Sequence, residues 1–536
     1  MDASAYATLP RVVLDNGSGN LKFSLASSKK PPTVLPNCVG QPKRKFTSQS
    51  FASEGSHGGS GVPAVHADHG DAVSDGCYTL WEYFCLRPYS SGLLYEPNRQ
   101  RVIWNKVMGS AHSLVNGVPA NLLGVAPATS AICVTEPNMC PDTCRQSMAE
   151  LIFEDLGFSL AAIVTSQAAS CWYYSAAKNP GSAPGSGSRA SASAELGLIA
   201  YPKPQQPRRP QKKGSQCCLV VDCGFEASHC VPFANGRPIQ RAALRSALAG
   251  SQLNAYLKNV SALRTVNLEF NELLVQHMKE EACYVSSDFD LELRAAGRLR
   301  YMRGHTALTH NYVLPTYSSK SKGHLMRHFN NYSAATPPLL TKKSRTLVER
   351  IAAGAELTPA EREAIGLPPV EGQPVEDSTG TNGAIGTNGE AAAAPAEEAA
   401  KEDKKASSQT VGLFTERFAI PEILFSPQDL HLQECGIAEV AFRSIGLAPQ
   451  CLQRQLASNV LLTGGSTKFP GFKERFYSEL RRLLPSEWDL QIHSAEDPAL
   501  TAFYGARLFA RDDSAFLESA VTRNYYLEHG GIFPRR

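Results

Sequence analysis

Two stretches of this chain end an apolar run on an aspartate, follow it with a glycine-bearing turn, and then resume an apolar run. One is VVLDNGSGNLKFSLA, beginning at Val12, and the other is LVVDCGFEASHCVPF, beginning at Leu219; Asp15 and Asp222 hold matching places in them. Glycines in such a turn let backbone N–H groups converge on an anion, because no Cβ blocks the approach. An aspartate at the strand end adds a carboxylate through which a magnesium ion can be held by way of water. In the first stretch Asp15, Asn16, Gly17, Ser18, Gly19 and Lys22 together offer amides, a hydroxyl and a cation to phosphate oxygens. Either hairpin alone also reads as an ordinary glycine turn. Two of them facing one another would clamp a row of phosphates from opposite sides.

A third stretch, LTGGSTKFPGF at 462–472, runs from a strand pattern through Gly464, Gly465 and Ser466 into a helix pattern, a backbone on which a nucleoside can lie. A fourth, QHMKEEACYVSSDF at 276–289, carries the pair Lys279 and Glu280 on a helical pattern. In isolation that pair reads as a solvated charged face.

The elements that must position these residues follow from hydrophobic spacing. Short apolar runs bounded by turn residues at 11–15, 131–135, 161–165, 217–223 and 459–463 predict buried strands. Apolar residues at three and four spacing predict helices over 141–157, 269–283, 470–484 and 498–510. Alternation of this kind implies an α/β body with covered mixed sheets. Three stretches break the pattern: a Gly/Ser-rich one at 52–76, one at 178–214 that ends in PKPQQPRRPQKKG, and one at 320–410 with no aromatic residue between 333 and 413. They read as a loop, an extended polyproline-like linker and a disordered segment, respectively.

With 53 basic and 50 acidic side chains in 536 residues, no global field marks a nucleic-acid or membrane-surface binder. Arg208, Arg209, Lys212 and Lys213 make a local basic tract that reads as a solubilising linker, with DNA contact or nuclear import as the alternative. No run of 18 apolar residues occurs and the opening MDASAYATLPR lacks a signal-peptide core, so the expectation is a soluble intracellular protein with no membrane partner. The 14 cysteines form no Cys-x-x-Cys pair; Cys133, Cys217, Cys218 and Cys283 lie in apolar runs and read as reduced core residues, with no zinc site and no certain metal site.

In this order, the two hairpins, the Gly464 turn and the Lys279-Glu280 helix resemble the phosphate and adenosine motifs of the actin superfamily. The resemblance covers nearly all of the chain outside the three aberrant stretches, including TEPNMCPDTCRQSMAELIFEDLGF and the closing VTRNYYLEHGG. It implies an α/β, two-lobed fold of duplicated ribonuclease-H-like domains with three low-complexity insertions. The first lobe would span 1–178 with an insertion at about 52–76, followed by a basic insertion at 179–214. The second lobe would span 215–319 and 411–510, split by a disordered insertion at 320–410, and 511–536 would return to the first lobe. The implied nucleotide site comprises Asp15, Asn16, Gly17, Ser18, Gly19, Lys22, Asp222, Gly224, Lys279, Glu280, Gly464, Gly465 and Ser466, holding ATP or ADP with magnesium in a structural role.

Four further segments, ERFAIPEILFSPQDLHLQECGIAEV at 416–440, VLPNC at 34–38, YVLPTYSSKSKG at 312–323 and RQRVIWNKVM at 99–108, resemble a nuclear branch of the superfamily more than conventional actin. That branch implies a scaffold subunit of a SWR-type chromatin-remodelling complex that exchanges a histone variant into nucleosomes. Its implied partners are a Snf2-type remodelling ATPase, a zinc-HIT-type subunit, and the nucleosome or histones, directly or through those proteins; its implied location is the nucleus, with or without a cytoplasmic pool. No filament is expected, because low-complexity sequence fills 40–81, where actin's intersubunit loop would lie.

The chain departs from actin in the second hairpin, where Asp-Ser-Gly-Asp-Gly becomes Asp222-Cys223-Gly224-Phe225-Glu226. A carboxylate about 5 Å from a phosphate charge costs about 3 kcal/mol per charge pair at an effective dielectric of about 20, so Glu226 is expected to repel a terminal phosphate. Gln167 and His229 fall where actin orients its attacking water, and both also read as structural residues. Gln276 and Ser251 stand where actin has arginines, and Lys468-Phe469 where it has Met-Tyr. The expectation is no hydrolysis and no catalytic residue; the alternative is an active actin-like ATPase with a cytoskeletal role.

Overall fold

The computed structural model describes residues 6–42, 83–109, 114–115, 118–119, 121–178, 197–202, 217–264, 268, 271–299, 310–314, 323–325, 342–364 and 410–530. The stretch read as a loop at 52–76 lies outside them.

Two mixed sheets repeat one plan. In the first, the hairpin Arg11–Asn16/Asn20–Leu25 is extended on one side by Thr33–Pro36 and on the other by the parallel strands Ala131–Glu136 and Leu160–Thr165. In the second, the hairpin Cys217–Cys223/Ser228–Ala234 is joined by the parallel strands Val460–Thr463 and Ile492–Ala495. Each expected strand forms, and each is almost wholly buried, because a sheet covered on both faces needs apolar residues on both. The expected duplicated two-lobed α/β architecture is thus present. Separate cores underlie the lobes, one around Phe153, Trp104 and Leu14 and the other around Phe472, Met278 and Val221.

Against the first sheet, helix Ser166–Lys178 crosses helix Thr501–Arg511 at very close range. A side chain at Gly505 would begin 1.8 Å from the Ala169 carbonyl oxygen, so only glycine permits the crossing. Trp172 meets the Phe509 ring edge-on at 5.5 Å. Arg11 donates to the Ala510 carbonyl at 2.6 Å and Arg507 to that of Lys30 at 3.0 Å, which ties Thr501–Arg511 to the first lobe. The return to the first lobe therefore begins near 501 rather than at 511, and Val521–Thr522 completes it as an edge strand of the first sheet.

Three other expectations need correction. The helix expected over 141–157 is α-helical at Asp142–Glu150 and then widens to a π turn at Leu151–Asp155. Within the basic insertion, Leu198–Tyr201 forms an edge strand paired to Ile492–Ala495, because LIAY is an apolar run long enough for one sheet edge. Within 320–410, Lys342–Ala353 and Pro359–Ala364 are helices, and His324–Leu325 and Thr410–Leu413 flank His310–Val313 in a small sheet. Val348 and Ile351 are buried against Ala295, Leu299 and Phe418. Low aromatic content misled here: one aliphatic stripe at helical spacing is enough to dock a short helix.

Placing a carboxylate at Ile351 would bury a charge without a partner, at a cost of about 3 kcal/mol. Ile351→Asp should therefore open 342–364 to limited proteolysis, whereas the parent chain resists cleavage there. Deleting 372–407, an acidic Gly/Ala-rich stretch outside the described residues, should leave the thermal midpoint nearly unchanged.

Candidate nucleotide site

The two hairpins confront one another across a cleft of about 520 Å³. Hairpin register places Lys22 directly opposite Asp15 and His229 directly opposite Asp222, the same offset in both repeats. Lys22 Nζ lies 2.6 Å from Asp15 Oδ2, and Thr135 Oγ1 donates to Asp15 Oδ1 at 2.6 Å. Asn16 is pinned through its Nδ2 to the Tyr89 hydroxyl at 2.6 Å, and Asn37 Nδ2 donates to the Gly17 carbonyl at 3.0 Å, so the first turn is held by its neighbours. Gly17, Ser18 and Gly19 line the cleft.

Asp222 accepts from Gln167 Nε2 at 2.8 Å. Burial raises its pKa to about 6; nearby Asp15 adds to the rise, while Lys22, Gln167 and Ser166 oppose it. Gln167 is committed at both ends of its amide, since its Oε1 also accepts the Asn138 N–H at 3.0 Å. It positions Asp222 through one N–H and is itself anchored to Asn138 through one lone pair, leaving one donor and one lone pair of the amide. His229 is buried and held neutral, its pKa lowered to about 4 by burial and then by Arg245. Its Nε2 has no partner among the described residues, and the ring lines the cleft. It is therefore an available polar contact for a ligand oxygen.

On the nucleoside side, Lys279 is buried and donates to the Gly250 carbonyl at 3.0 Å; burial lowers its pKa to about 8. Glu280 accepts from Gln276 Nε2 at 2.8 Å. Gly464 and Gly465 follow the strand Val460–Thr463, and Ser466 Oγ donates to the Gly224 carbonyl at 3.1 Å, bracing the second turn from the third motif. The structure thus gathers all thirteen sequence-derived residues around one cleft.

The second turn differs from expectation. Glu226 does not line the cleft; its carboxylate faces the Ser91 backbone and the Ser251 hydroxyl, and burial raises its pKa. The expected repulsion of a terminal phosphate by Glu226 is therefore absent, and Phe225 takes the position on the cleft wall. Tyr89, Thr135 and Ser166 also line the cleft and were not singled out from sequence, although Thr135 and Ser166 sit at the carboxyl ends of parallel strands, where ligands collect. Among the described residues no cluster of three or more His, Cys, Asp or Glu side chains could hold a metal ion, and no helix is long and apolar enough to cross a membrane.

The sequence model of the Actin family matches residues 7–271 and 266–533. The chain is 29% identical over 527 residues to actin-related protein 6 of Arabidopsis thaliana, covering 98% of each protein. It is 26% identical over 547 residues to actin-like protein arp6 of Aspergillus fumigatus, covering 99% of this chain and 97% of that one. It is 23% identical over 520 residues to actin-related protein 6 of Drosophila melanogaster, covering 97% of each.

A carboxylate whose pKa is raised by folding stabilises the fold fully below its unfolded value near 4, and that stability is lost as pH rises through about 6. Asp222→Asn keeps an acceptor for Gln167 and removes the ionisation. It should therefore raise stability at pH 7 by about 1–2 kcal/mol, a discounted figure at about 1.4 kcal/mol per pKa unit, and the gain should vanish by pH 4. Denaturant titrations across that pH range check this.

Proposed function

Because the chain belongs to the actin family, we propose that it serves as a non-catalytic scaffold subunit of a nuclear SWR-type complex that exchanges a histone variant into nucleosomes. The observation that carries this reading is the state of the second hairpin. Phe225 occupies the wall where an acidic side chain would have helped to hold an ion, and Gln167 is turned toward Asp222 and Asn138. Hydrolysis needs a terminal phosphate and its ion held in line with a water, and an aromatic ring at 225 offers that ion no ligand.

Nucleotide binding is a separate matter, and the residues present fit an ATP or ADP with magnesium. Lys22 and the amides of Gly17–Gly19 would face phosphate oxygens, Asp15 and Asp222 would hold the ion's water shell, and the unpartnered Nε2 of His229 would meet an oxygen. Lys279, Glu280 and the Gly464 turn would border the nucleoside. When bound, the ion and its phosphates supply positive and negative charge within the cleft. The role proposed for them is structural.

The near-complete coverage of proteins named actin-related protein 6 supports the branch assignment. In that reading the partners are a Snf2-type remodelling ATPase and a zinc-HIT-type subunit, with histones or nucleosome reached directly or through them, and the chain resides in the nucleus. Affinity purification of the tagged protein from nuclei, followed by quantitative mass spectrometry, should recover a Snf2-type ATPase in stoichiometric amount. Recovery with cytosolic filaments, or without any remodelling ATPase, would reject the reading. A phosphate-release assay on the purified chain should give no turnover above that of Asp15→Ala.

A further inference from the structure

Beside the cleft, and outside its lining, the first lobe sends Arg87 into the second. Its Nε lies 2.7 Å from Glu272 Oε1, one terminal nitrogen donates to Gln276 Oε1 at 3.3 Å, and the other donates to the Ser18 and Gly19 carbonyls at 3.2 and 2.8 Å. The guanidinium also lies over the Phe225 ring, with Cζ 4.2 Å from the centroid. Four of the five N–H donors of the fork are thus directed at named acceptors, two on the first phosphate turn and two on the helix Glu272–Ala282 of the second lobe. Arg99 in turn donates to the Arg87 carbonyl at 3.1 Å, fixing the backbone from which the side chain departs.

Phe225 completes the contact from the other side. A Cβ on Gly19 would lie 2.8 Å from Phe225 Cβ, so the first turn and the aromatic ring meet with no room between them. The ring also borders Gly250 and stands 5.9 Å from Lys279 Nζ. A second seam lies next to it, where Arg245 of the second lobe donates to the Ser91 carbonyl of the first and Glu226 faces the Ser91 backbone. The side chain of Arg87 is 6% exposed and that of Glu272 27%, so the ion pair is shielded enough to hold in salt.

We propose that Arg87, Phe225 and Glu272 form a clasp that holds the lobes closed through protein contacts alone, so that the angle between the lobes, and with it the surface offered to partner proteins, is set by the chain rather than by nucleotide. Every acceptor of the clasp is a protein atom, and two of them are carbonyls of the very turn that would bind phosphate. The clasp contacts therefore draw on no bound phosphate or ion. The proposal stands apart from the identity of the remodelling partners and fails or survives independently of it.

Hydrogen exchange on the purified full-length chain, read by mass spectrometry on peptides covering 16–22, 87–92 and 224–227, tests it. Without nucleotide, Arg87→Ala should speed exchange in all three peptides by at least tenfold, and Glu272→Gln, a milder change on a partly exposed helix face, by about threefold. Exchange in the core strand Val460–Thr463 should not change in either variant, which separates clasp opening from failure to fold. Magnesium and ADP should alter the parent chain's exchange in the three peptides by less than twofold. Unchanged exchange in both variants, or a tenfold slowing of the parent by magnesium and ADP, would overturn the clasp.

Discussion

Two carboxylates facing each other across a cleft are the constraint on which the rest of this molecule depends. Asp15 and Asp222 sit at the ends of equivalent strands in the two lobes, and the charge of Asp15 adds to burial in disfavouring the ionised form of Asp222. Like charges in a partly dry site cannot both ionise freely unless cations and donors are arranged for them. Asp15 has Lys22 and Thr135, whereas the donors at Asp222 are the neutral Gln167 and Ser166, supported at longer range by Lys22. The repeat makes this asymmetry visible: the hairpin partner of Asp15 is a lysine, and that of Asp222 is a histidine kept neutral by burial. Unequal neutralisation leaves the pKa of Asp222 raised, chiefly by burial and then by Asp15.

The same asymmetry gives Phe225 its significance. An aromatic ring in a turn between two strands is out of place for a loop meant only to cradle anions, and its energy comes from the groups around it: an arginine stacked on one face, two turn backbones against its edge. Arg87 satisfies most of its donors with carbonyl and carboxylate oxygens at the same point. A buried guanidinium is tolerated only where its hydrogen bonds are nearly complete. The exchange of a carboxylate for a ring at 225 and the arrival of Arg87 from the other lobe are therefore two halves of one arrangement, and Glu226 is free to turn away toward Ser91 and Ser251.

Much of this was legible in the sequence, for reasons that differ by element. The strands at 11–16, 131–136, 160–165, 217–223 and 460–463 are covered on both faces, so burial imposes continuous apolar runs that the eye can follow. The glycine turns were legible because they are local. The helices at 342–353 and 359–364 were not, since the bias of a long stretch around them hid an aliphatic stripe of Leu347, Val348 and Ile351. Leu198–Tyr201 was hidden in the same way, between a Gly/Ser tract and a proline tract. Arg87 carries no periodic or motif signal at all; its role exists only because Glu272, nearly two hundred residues later, is folded against it. The direction of Glu226 was misjudged because residue type in a tight turn does not say which way a side chain leaves it.

Two points of contact now fix the relation between the lobes. One is helix Ser166–Lys178, locked to Thr501–Arg511 at Ala169 and Gly505, whose Cys171 and Tyr174 pack against Cys218 and Val220 of the second sheet. The other lies beside the cleft, where Arg87 bridges the first phosphate turn to Glu272 and Gln276. A body pinned at one point can rock; one pinned at two cannot without breaking a shielded ion pair and a cation–ring stack together. A second pin made of protein atoms fixes the frame without drawing on a ligand. A fixed frame is what a subunit needs if its work is to present surfaces, because a partner that docks across both lobes then finds its two halves already aligned and loses no binding free energy in selecting among lobe angles.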